Sequence, residues 1–546
     1  MRTRSGADGE TTTRGTRRAR LRIFSDLYRS RVAGIIEGLP YVLACISGLL
    51  LTFSFPRFGH PAVAWVALVP LAVALTLRGG VAAGLRFGLV AGTVGFAGTI
   101  YWTREVVQQF GGLPLPLAMF AMTLLALYMA LYAGGATAMT ALLMRRRGTA
   151  GLALLPATWV AGEFARGWAF GGFPWTPIGS SQATVLPVAQ FASLAGVYGL
   201  SALVVTVNVL LAIVLTGRGR ARAVCGVVAV ALVAGSWVWG AGRIADGRLV
   251  RSGTPLRVGL VQGNVAQGDK WNPGLAAGIL ADHIGLTRDA VSRGAAFVLW
   301  PESSTPFMLE EDPAGQQVHS LARELRVPLL VGSDEVKRLP LRLYNAAHLI
   351  APSGATEAVY RKMHLVPFGE FIPLKGVISF VSPLVESFAE FVPGTETVLL
   401  PIGNHKASTS ICYEVVYPEL VRDAVLKGSE LLTTITNDAW YGRTSAPFQH
   451  WELASLRAIE HGRFLARAAN TGISGVVDPY GRVTARSGLF EQVALVADVR
   501  LLTEQTFYTR FGDVIAWLAV ALTVLAGLAA RGGSSRNLFD GRAGGA

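Results

Sequence analysis

Long apolar segments separated by short polar loops occupy most of the first half of the chain. A helix needs roughly 20 mostly apolar residues to cross a bilayer. Candidate spans run at 32–54, 61–77, 80–101, 115–143, 149–168, 188–216 and 222–242, and one more follows at 511–530. The pattern predicts an α-helical polytopic membrane domain, with seven helices before a long polar stretch and an eighth helix after it.

The polar stretch has a different pattern, which is typical of a soluble α/β domain. Short apolar runs of strand length, with β-branched residues, lie at 256–262, 296–300, 328–333, 345–350, 407–412 and 431–436. Segments with helical periodicity alternate with them at 274–293, 316–326, 417–428 and 447–463. This alternation predicts a sheet-based α/β fold.

The composition excludes a wholly soluble or disordered chain. Of the 546 residues, 15% are charged and 51% are hydrophobic, whereas about 25% of a soluble chain is charged. The net charge of +14 comes almost wholly from arginines beside the apolar spans. We interpret them as a membrane topology signal and expect no nucleic-acid partner. The lysines all lie in the polar stretch, at Lys270, Lys337, Lys362, Lys375, Lys406 and Lys427.

Arginines in the short loops predict the orientation of the helices. If the basic tail at 1–31 is cytoplasmic, the loops on that side are the more basic ones, as the positive-inside rule requires. The basic residues of those loops and of the C-terminal tail are Arg78, Arg145, Arg146, Arg147, Arg218, Arg220, Arg222, Arg531, Arg536 and Arg542. An odd number of spans then places the α/β domain outside the cytoplasm.

These patterns divide the chain into five parts. We predict a basic cytoplasmic tail at 1–31, seven transmembrane helices at 32–250 and an extracytoplasmic α/β domain at 251–505. An eighth transmembrane helix at 506–531 and a cytoplasmic tail at 532–546 follow. No small-residue cleavage site precedes the first apolar span, so we expect the N-terminal tail to be retained.

Three cysteines are too few for a disulfide framework. Cys45 and Cys225 lie in apolar spans, where cysteine usually packs as a small hydrophobic residue. Cys412 stands in the polar stretch, between a strand and a helix that begins near Pro418. That junction can present a nucleophile above a sheet beside free backbone N–H groups, although an inert packed thiol fits it equally well.

Two charged residues follow other predicted strands. Glu302, in VLWPES, would lie at the carboxyl edge of a sheet, where apolar neighbours could raise its pKa and suit it to act as a base. Lys362, in YRKMHLVPFGE, could stabilise an oxyanion and lower the pKa of a nearby thiol. A salt-bridged carboxylate and a solvated lysine are the ordinary alternatives. Glu370 and Glu414 could orient that lysine.

Three motifs occur in a fixed order on this α/β frame. WPE, YRKxHLVPFGE and ICYE together resemble the carbon–nitrogen hydrolase, or nitrilase, superfamily. The resemblance implies an α-β-β-α sandwich with a Glu–Lys–Cys triad. Glu302 matches the general base, Lys362 the oxyanion-stabilising lysine and Cys412 the nucleophile. Glu370 matches the family's second glutamate, which supports the lysine.

Longer segments sharpen this resemblance. The chain is similar to the apolipoprotein N-acyltransferase family in VQGNVAQGDKW, HLVPFGEFIP, ICYEVVYPE, TNDAWYG, RAIEHGRFLARAANTGISG and EFARGWAFGGFPW. That family has seven spans, a nitrilase-like domain outside and one terminal span. Tyr413 and Glu414 match the residues after the nucleophile, and Trp271 matches a tryptophan held to lie near the acyl chain. Tyr441 stands where phenylalanine is common, which leaves the triad untouched.

The resemblance also implies a reaction. A phospholipid of the bacterial cytoplasmic membrane would donate an acyl chain to Cys412 as a thioester, in a ping-pong mechanism. The N-terminal α-amine of a diacylglyceryl-cysteine apolipoprotein would then accept the chain, in the last step of lipoprotein maturation. No phosphate-cradling, zinc-binding or dinucleotide motif stands where it would be needed, so we expect no cofactor and no metal.

Several alternatives stay open on the sequence. The same domain chemistry fits a membrane-tethered amidase of soluble substrates, and a transporter or scaffold with an inactive soluble domain is a second alternative. Glu163 and Arg166, one turn apart, could form an ion pair or contact a phospholipid headgroup. His364 is a weak candidate for a Cys–His pair. The apolar segment 372–396 contains three prolines and could be a lid that dips into the membrane or an ordinary packed loop.

Overall fold

The structure is a computed structural model that describes residues 37–367, 369–371 and 390–532. The predicted tail at 1–31, the start of the first span and nearly all of the C-terminal tail lie outside these residues. Most of the segment 372–396 lies outside them too, so the lid prediction falls outside the described residues.

Helices make up the described chain before the polar stretch. They are α1 (Glu37–Thr52), α2 (Val69–Leu77), α3 (Val81–Thr99), α4 (Trp102–Gln109), α5 (Leu115–Arg147), α6 (Leu155–Arg166), α7 (Leu186–Ala189), α8 (Ala192–Thr216) and α9 (Gly219–Asp246). Among the described residues, four helical stretches are long and apolar enough to cross a membrane: Val81–Thr99, Leu115–Arg166, Ala192–Thr216 and Gly219–Val250. The remaining predicted spans correspond to the shorter apolar helices Glu37–Thr52, Pro61–Leu77 and Val514–Ala530. The number of eight spans therefore stays a prediction.

Small residues let α3 and α5 pack closely. Gly84, Gly88 and Gly92 follow one another at four-residue spacing along α3 and approach α5. A Cβ atom at Gly88 would stand 2.5 Å from the carbonyl oxygen of Ala133, so only glycine fits there. Thr137 Oγ1 lies 2.7 Å from the Gly84 carbonyl oxygen. Close backbone approach of this kind is a usual source of helix association in membranes.

Strands and helices alternate through the polar stretch. The strands are β1 (Thr254–Gln262), β2 (Phe297–Leu299), β3 (Leu329–Arg338), β4 (Leu341–Ile350), β5 (Thr356–Arg361), β6 (Leu400–Ile402), β7 (His405–Ile411), β8 (Leu431–Thr436), β9 (Leu465–Ala469), β10 (Gly475–Val477), β11 (Val483–Arg486) and β12 (Val493–Leu501). The helices are α10 (Ala276–Ser292), α11 (Gly315–Leu325), α12 (Pro418–Leu426), α13 (Ala446–His461), α14 (Phe507–Phe511) and α15 (Val514–Gly532). In the described chain the strands form two six-stranded sheets, ordered β12-β1-β2-β3-β4-β5 and β11-β10-β9-β8-β7-β6.

The two sheets face each other, and helices cover their outer faces. Neighbouring residues of β2 point to opposite sides, because side chains alternate along a strand. Leu299 packs in a core that it shares with Ile411 of the second sheet, whereas Val298 packs with Val318 of α11. On the other side, α12 contacts β7 and α13 contacts β9. This arrangement confirms the α/β fold of two sheets that the sequence predicts.

Helix α13 also joins the α/β domain to the helical region. Gln449 accepts hydrogen bonds from the indole N–H groups of Trp102 at 3.2 Å and Trp175 at 2.7 Å. Near the end of the same helix, Glu460 accepts a hydrogen bond from the Val197 N–H of α8 at 2.9 Å. These buried contacts fix the helical region against the face of the domain that carries α13.

Candidate active site

Cys412 follows β7 directly and begins a short 3-10 helix, Cys412–Val416, ahead of α12. Its backbone has φ +52°, in the left-handed region that residues other than glycine rarely adopt. Strands β7 and β8 are parallel, so their carboxyl ends meet at one edge of the sheet. The chain turns sharply at this edge and holds the thiol in a buried position, 6% exposed.

Glu302 follows β2 and reaches the same edge from the other sheet. Its Oε1 accepts hydrogen bonds from Asn345 Nδ2 at 2.7 Å and Lys362 Nζ at 3.2 Å. Its Oε2 accepts a hydrogen bond from the backbone N–H of Asn437 at 2.8 Å. Asn345 belongs to β4 of the first sheet and Asn437 follows β8 of the second. The carboxylate therefore links the two sheets.

Lys362, directly after β5, lies between two carboxylates. Its Nζ is 2.9 Å from Glu370 Oε1 and 3.2 Å from Glu302 Oε1, and its side chain is 1% exposed. Glu370 Oε1 also accepts a hydrogen bond from Asn345 at 2.8 Å, and its Oε2 accepts one from the Val366 N–H at 2.8 Å. The structure thus brings Glu302, Lys362 and Glu370 into one buried network.

The network keeps the carboxylate of Glu302 and the ammonium of Lys362 charged. Burial acts to raise the pKa of Glu302, but the ammonium groups of Lys362 and Lys270 outweigh burial and lower this pKa. Burial acts to lower the pKa of Lys362, but Glu302 and Glu370 raise it well above its usual value. The expectation that apolar neighbours raise the pKa of Glu302 is therefore wrong, because two lysines lie beside it. The carboxylate can accept a proton at neutral pH.

The Cys412 thiol, by contrast, is held neutral. Burial, and after it the charge of Glu302, raises the pKa of Cys412 to about 12, although Lys362 acts in the opposite direction. Lys362 lowers this pKa as expected, but burial and the charge of Glu302 outweigh its effect, so the net shift is upward. The thiol must lose its proton to a base as it reacts.

Glu414 ties β7 to the segment that follows β5. Its Oε2 accepts a hydrogen bond from the Ile411 N–H at 2.7 Å. Its Oε1 accepts hydrogen bonds from the N–H groups of Met363 at 2.6 Å and His364 at 3.1 Å, and from the Tyr360 hydroxyl at 2.9 Å. Burial raises the pKa of Glu414 to about 7, although the three backbone N–H groups and the charge of Lys362 act to lower it. The Glu414 side chain therefore fixes the backbone directly after Lys362.

Glu414→Gln is expected to lower the stability of the protein. The amide nitrogen of glutamine cannot accept a hydrogen bond, so at least one buried N–H loses its partner, at a cost of roughly 1–3 kcal/mol. Thermal unfolding in detergent should give a lower Tm than for the wild type. Glu357→Gln, at an exposed glutamate of the same domain, is the matched control and should leave the Tm unchanged. Equal Tm values for Glu414→Gln and the wild type would contradict this role of Glu414.

Tyr413 faces the helical region. Its ring stacks on those of Trp175 and Phe173, with centroids 6.2 Å and 6.1 Å away. It meets the ring of Tyr417 edge-on at 5.2 Å. A largely buried aromatic cluster therefore extends from the residue next to Cys412 to the segment that precedes α7.

Trp271 lies at the surface with 45% of its side chain exposed, and in the described chain no hydrogen bond or ring contact joins it to this network. The preceding Lys270 is buried instead, and its Nζ donates to the carbonyl oxygen of Glu302 at 3.1 Å. Burial lowers the pKa of Lys270. Sequence reasoning did not single out Lys270, Asn345 or Asn437. The only sequence feature that pointed to a role for Lys270 in the site is that all the lysines lie in this domain.

Of the two alternatives for Glu163 and Arg166, a direct ion pair is not formed among the described residues, and each side chain hydrogen-bonds to other partners. Glu163 Oε1 accepts hydrogen bonds from the Ile178 N–H at 2.8 Å and the Trp159 indole at 3.0 Å. Arg166 Nη1 donates to the Trp175 carbonyl at 2.8 Å. Both residues therefore brace the loop that carries Phe173 and Trp175.

His364 packs its ring 3.7 Å from that of Tyr417, centroid to centroid. Burial lowers the pKa of His364 to about 4, so the imidazole is neutral at pH 7.

Among the described residues there is no group of three or more His, Cys, Asp or Glu side chains that could hold a metal ion.

Two family models match the chain. The apolipoprotein N-acyltransferase N-terminal domain matches residues 47–210, and the carbon-nitrogen hydrolase domain matches residues 257–507. The apolipoprotein N-acyltransferase of Geobacter metallireducens is 37% identical over 506 residues, which cover 90% of this chain and 95% of that protein. That of Methylococcus capsulatus is 33% identical over 502 residues, which cover 88% of this chain and 94% of the relative.

Among solved structures, an amidase from Nesterenkonia sp. matches with a TM-score of 0.36 and 25% identity, over 46% of this chain and 93% of the amidase.

The two acyltransferase relatives match over nearly their whole length, and this confirms the resemblance carried by the motifs. The chain belongs to the apolipoprotein N-acyltransferase family.

Proposed function

We propose that this protein transfers an acyl chain from a membrane phospholipid to the N-terminal α-amine of a diacylglyceryl-cysteine apolipoprotein. One observation carries the proposal: a charged carboxylate and a charged ammonium lie buried at the sheet edge where Cys412 sits, in a domain packed against apolar helices. The choice of an apolipoprotein as the acceptor rests on the relatives, which are named apolipoprotein N-acyltransferases.

In the first half-reaction Glu302 accepts the proton of the Cys412 thiol, and the sulfur attacks an ester carbonyl of the phospholipid, at the sn-1 position. Lys362 and the backbone N–H of Tyr413 stabilise the oxyanion. The ester C–O bond then breaks, and Glu302 returns the proton to the departing oxygen. A lysophospholipid leaves, and a thioester remains on Cys412.

In the second half-reaction the α-amine of the apolipoprotein attacks the thioester carbonyl. Glu302 takes a proton from the attacking nitrogen, and the same donors stabilise the second oxyanion. The C–S bond breaks, and the proton passes from Glu302 to the sulfur. The product carries a third, amide-linked acyl chain, and Cys412 returns to the thiol that burial favours.

The remaining predicted site residues support this chemistry from their positions. Glu370 orients the ammonium of Lys362, and Glu414 holds the backbone beside it. The ring of Tyr413, stacked on Trp175 next to Cys412, would pack beside the acyl chain near the sulfur. Trp271, at the surface, would meet the lipid on its way in.

We further propose eight membrane spans, with the α/β domain on the extracytoplasmic face of the bacterial cytoplasmic membrane. The helices expose large apolar side chains: Phe120 at 61%, Leu131 at 58%, Val227 at 70%, Val238 at 70% and Leu525 at 63%. Large apolar side chains exposed along several helices are costly in water and expected against lipid. The arginines in the short loops indicate the orientation of the helices in the membrane by the positive-inside rule.

The experiment that tests the function uses the full chain in nanodiscs. The acyl donor is a phospholipid with an isotope-labelled sn-1 chain, and the acceptor is a synthetic diacylated lipopeptide. Mass spectrometry should show the label on the lipopeptide amine, and double-reciprocal plots at several acceptor concentrations should be parallel, as a ping-pong mechanism requires. Release of ammonia from a small soluble amide without any labelled lipopeptide would favour the membrane-tethered amidase.

A further inference from the structure

Three fully buried side chains form a cluster that contacts the backbone of Cys412. Asp438 follows β8, His450 lies on α13 and Arg467 lies on β9, and each side chain is 0% exposed. Nε2 of His450 stands 3.1 Å from the carbonyl oxygen of Cys412. The mechanism described above uses none of the three.

The partners of His450 place a hydrogen on Nε2. A carbonyl oxygen only accepts hydrogen bonds, so the ring nitrogen that faces it must donate. Nδ1 lies 3.0 Å from Arg467 Nη2 and 3.1 Å from Asp438 Oδ1. Burial, and after it the charge of Arg467, lowers the pKa of His450, although Asp438 acts to raise it. The net shift favours a neutral ring whose Nδ1 accepts from the Arg467 guanidinium. His450 is therefore a donor to the backbone and not a base for the thiol.

The ring is itself held in place by charged groups. Arg467 donates to Asp438 Oδ2 at 2.9 Å and, through Nε, to the Ile473 carbonyl at 3.2 Å. Asp438 Oδ1 also accepts from the Thr436 hydroxyl at 2.9 Å. Charge-assisted hydrogen bonds are strong in a buried site, and losing one leaves a polar group unpaired at a high cost. The cluster therefore holds the imidazole in a single orientation.

We propose that His450 is a positioning residue that fixes the peptide plane between Cys412 and Tyr413. In a trans peptide the carbonyl and the following N–H point in opposite directions. The hydrogen bond from His450 to the Cys412 carbonyl therefore also sets the direction of the Tyr413 N–H. The inference rests on the proposed function, in which that N–H stabilises the oxyanion.

The backbone conformation of Cys412 explains why such a hold is needed. Its φ of +52° is sparsely populated for a residue with a side chain, and such a conformation persists only where surrounding contacts impose it. The hydrogen bond from His450 is one such contact. Without it the peptide can rotate, and the Tyr413 N–H turns away from the reacting carbonyl.

Two substitutions separate the proposed role from simple packing. His450→Leu keeps the bulk and removes the donor, whereas His450→Gln keeps an N–H donor at a similar reach. Both are made in a background with Cys45→Ala and Cys225→Ala. Two rates are measured in nanodiscs: acyl-adduct formation from a phospholipid, which passes through an oxyanion, and alkylation of Cys412 by iodoacetamide, which does not.

We expect His450→Leu to slow adduct formation by about 10²–10³-fold, the usual loss for one oxyanion donor. Its alkylation rate should match that of the parent protein, and His450→Gln should recover most of the adduct rate. Adduct formation at the parent rate in His450→Leu overturns the inference. An equal fall of both rates in both variants also overturns it, since that marks a purely structural role. A parent protein that alkylates readily but forms no adduct overturns the proposed function, and the inference with it.

Discussion

Cys412→Ala is expected to lower acyl transfer by at least about 10⁴-fold, because removing a nucleophile closes the covalent route and leaves only the effects of binding and the remaining donors. The substitution should not unfold the domain, since the thiol is small and buried. The measurement is the rate at which labelled acyl chain reaches the diacylated lipopeptide, compared with the wild type in the same nanodiscs.

The other two cysteines provide the matched controls. Cys45 and Cys225 are free and lie in helices of the N-terminal region. Cys45→Ala and Cys225→Ala should leave the transfer rate unchanged. Wild-type turnover in Cys412→Ala would show that acyl transfer does not need this thiol, and the proposed mechanism would fail.

Lys362→Met is expected to lower activity by about 10³-fold and to destabilise the protein. The substitution removes an oxyanion donor. It also leaves Glu302 and Glu370 as two buried carboxylates around one amide, Asn345. Breaking a buried charge pair from one side costs about 3–5 kcal/mol. Transfer rate and unfolding in detergent are the two measurements.

The stability loss in Lys362→Met should depend on pH. Lys362 lowers the pKa of Glu302 in the wild type. A carboxyl with a lowered folded-state pKa stabilises above its unfolded pKa, and that contribution is lost as the pH falls through the folded value. The difference in unfolding free energy between wild type and variant should therefore be largest near pH 7 and narrow below about pH 4.

A double variant separates the two effects of the lysine. Lys362→Met with Glu370→Gln removes one of the two like charges and should recover part of the lost stability. It should not recover activity, because the oxyanion donor is still missing. A double variant as active as the wild type would contradict the role assigned to Lys362.

The sequence predicts the α/β domain and its charged residues because their signals are local. Strand-length apolar runs mark the sheets, and each motif places Glu302, Lys362 or Cys412 just after a strand. Since the carboxyl ends of neighbouring parallel strands meet at one edge, such residues can be expected to converge. Glu302 after β2 and Lys362 after β5 follow strands that run in the same direction with β3 and β4 between them, so both lie at one edge of the sheet. Glu370 follows no strand and reaches Lys362 from the segment after β5.

The partners of these residues could not be read from local patterns. Asn345 and Asn437 are ordinary polar residues until the two sheets face each other across Glu302. The direction of a pKa shift depends on the balance of burial and several charges, and Lys270 enters that balance from a distant segment. The role of His450 depends on its hydrogen bond to the backbone carbonyl of Cys412, and no sequence motif indicates that contact.

The most direct test of the central claim is the intact mass of the purified protein after incubation with a defined phospholipid and no acceptor. A thioester on Cys412 predicts a mass gain of one acyl chain, which hydroxylamine removes and which Cys412→Ala does not show. Addition of the diacylated lipopeptide should then clear the adduct and yield a triacylated product. A wild-type protein that gains no mass, although its Cys412 alkylates readily, would contradict the thioester mechanism.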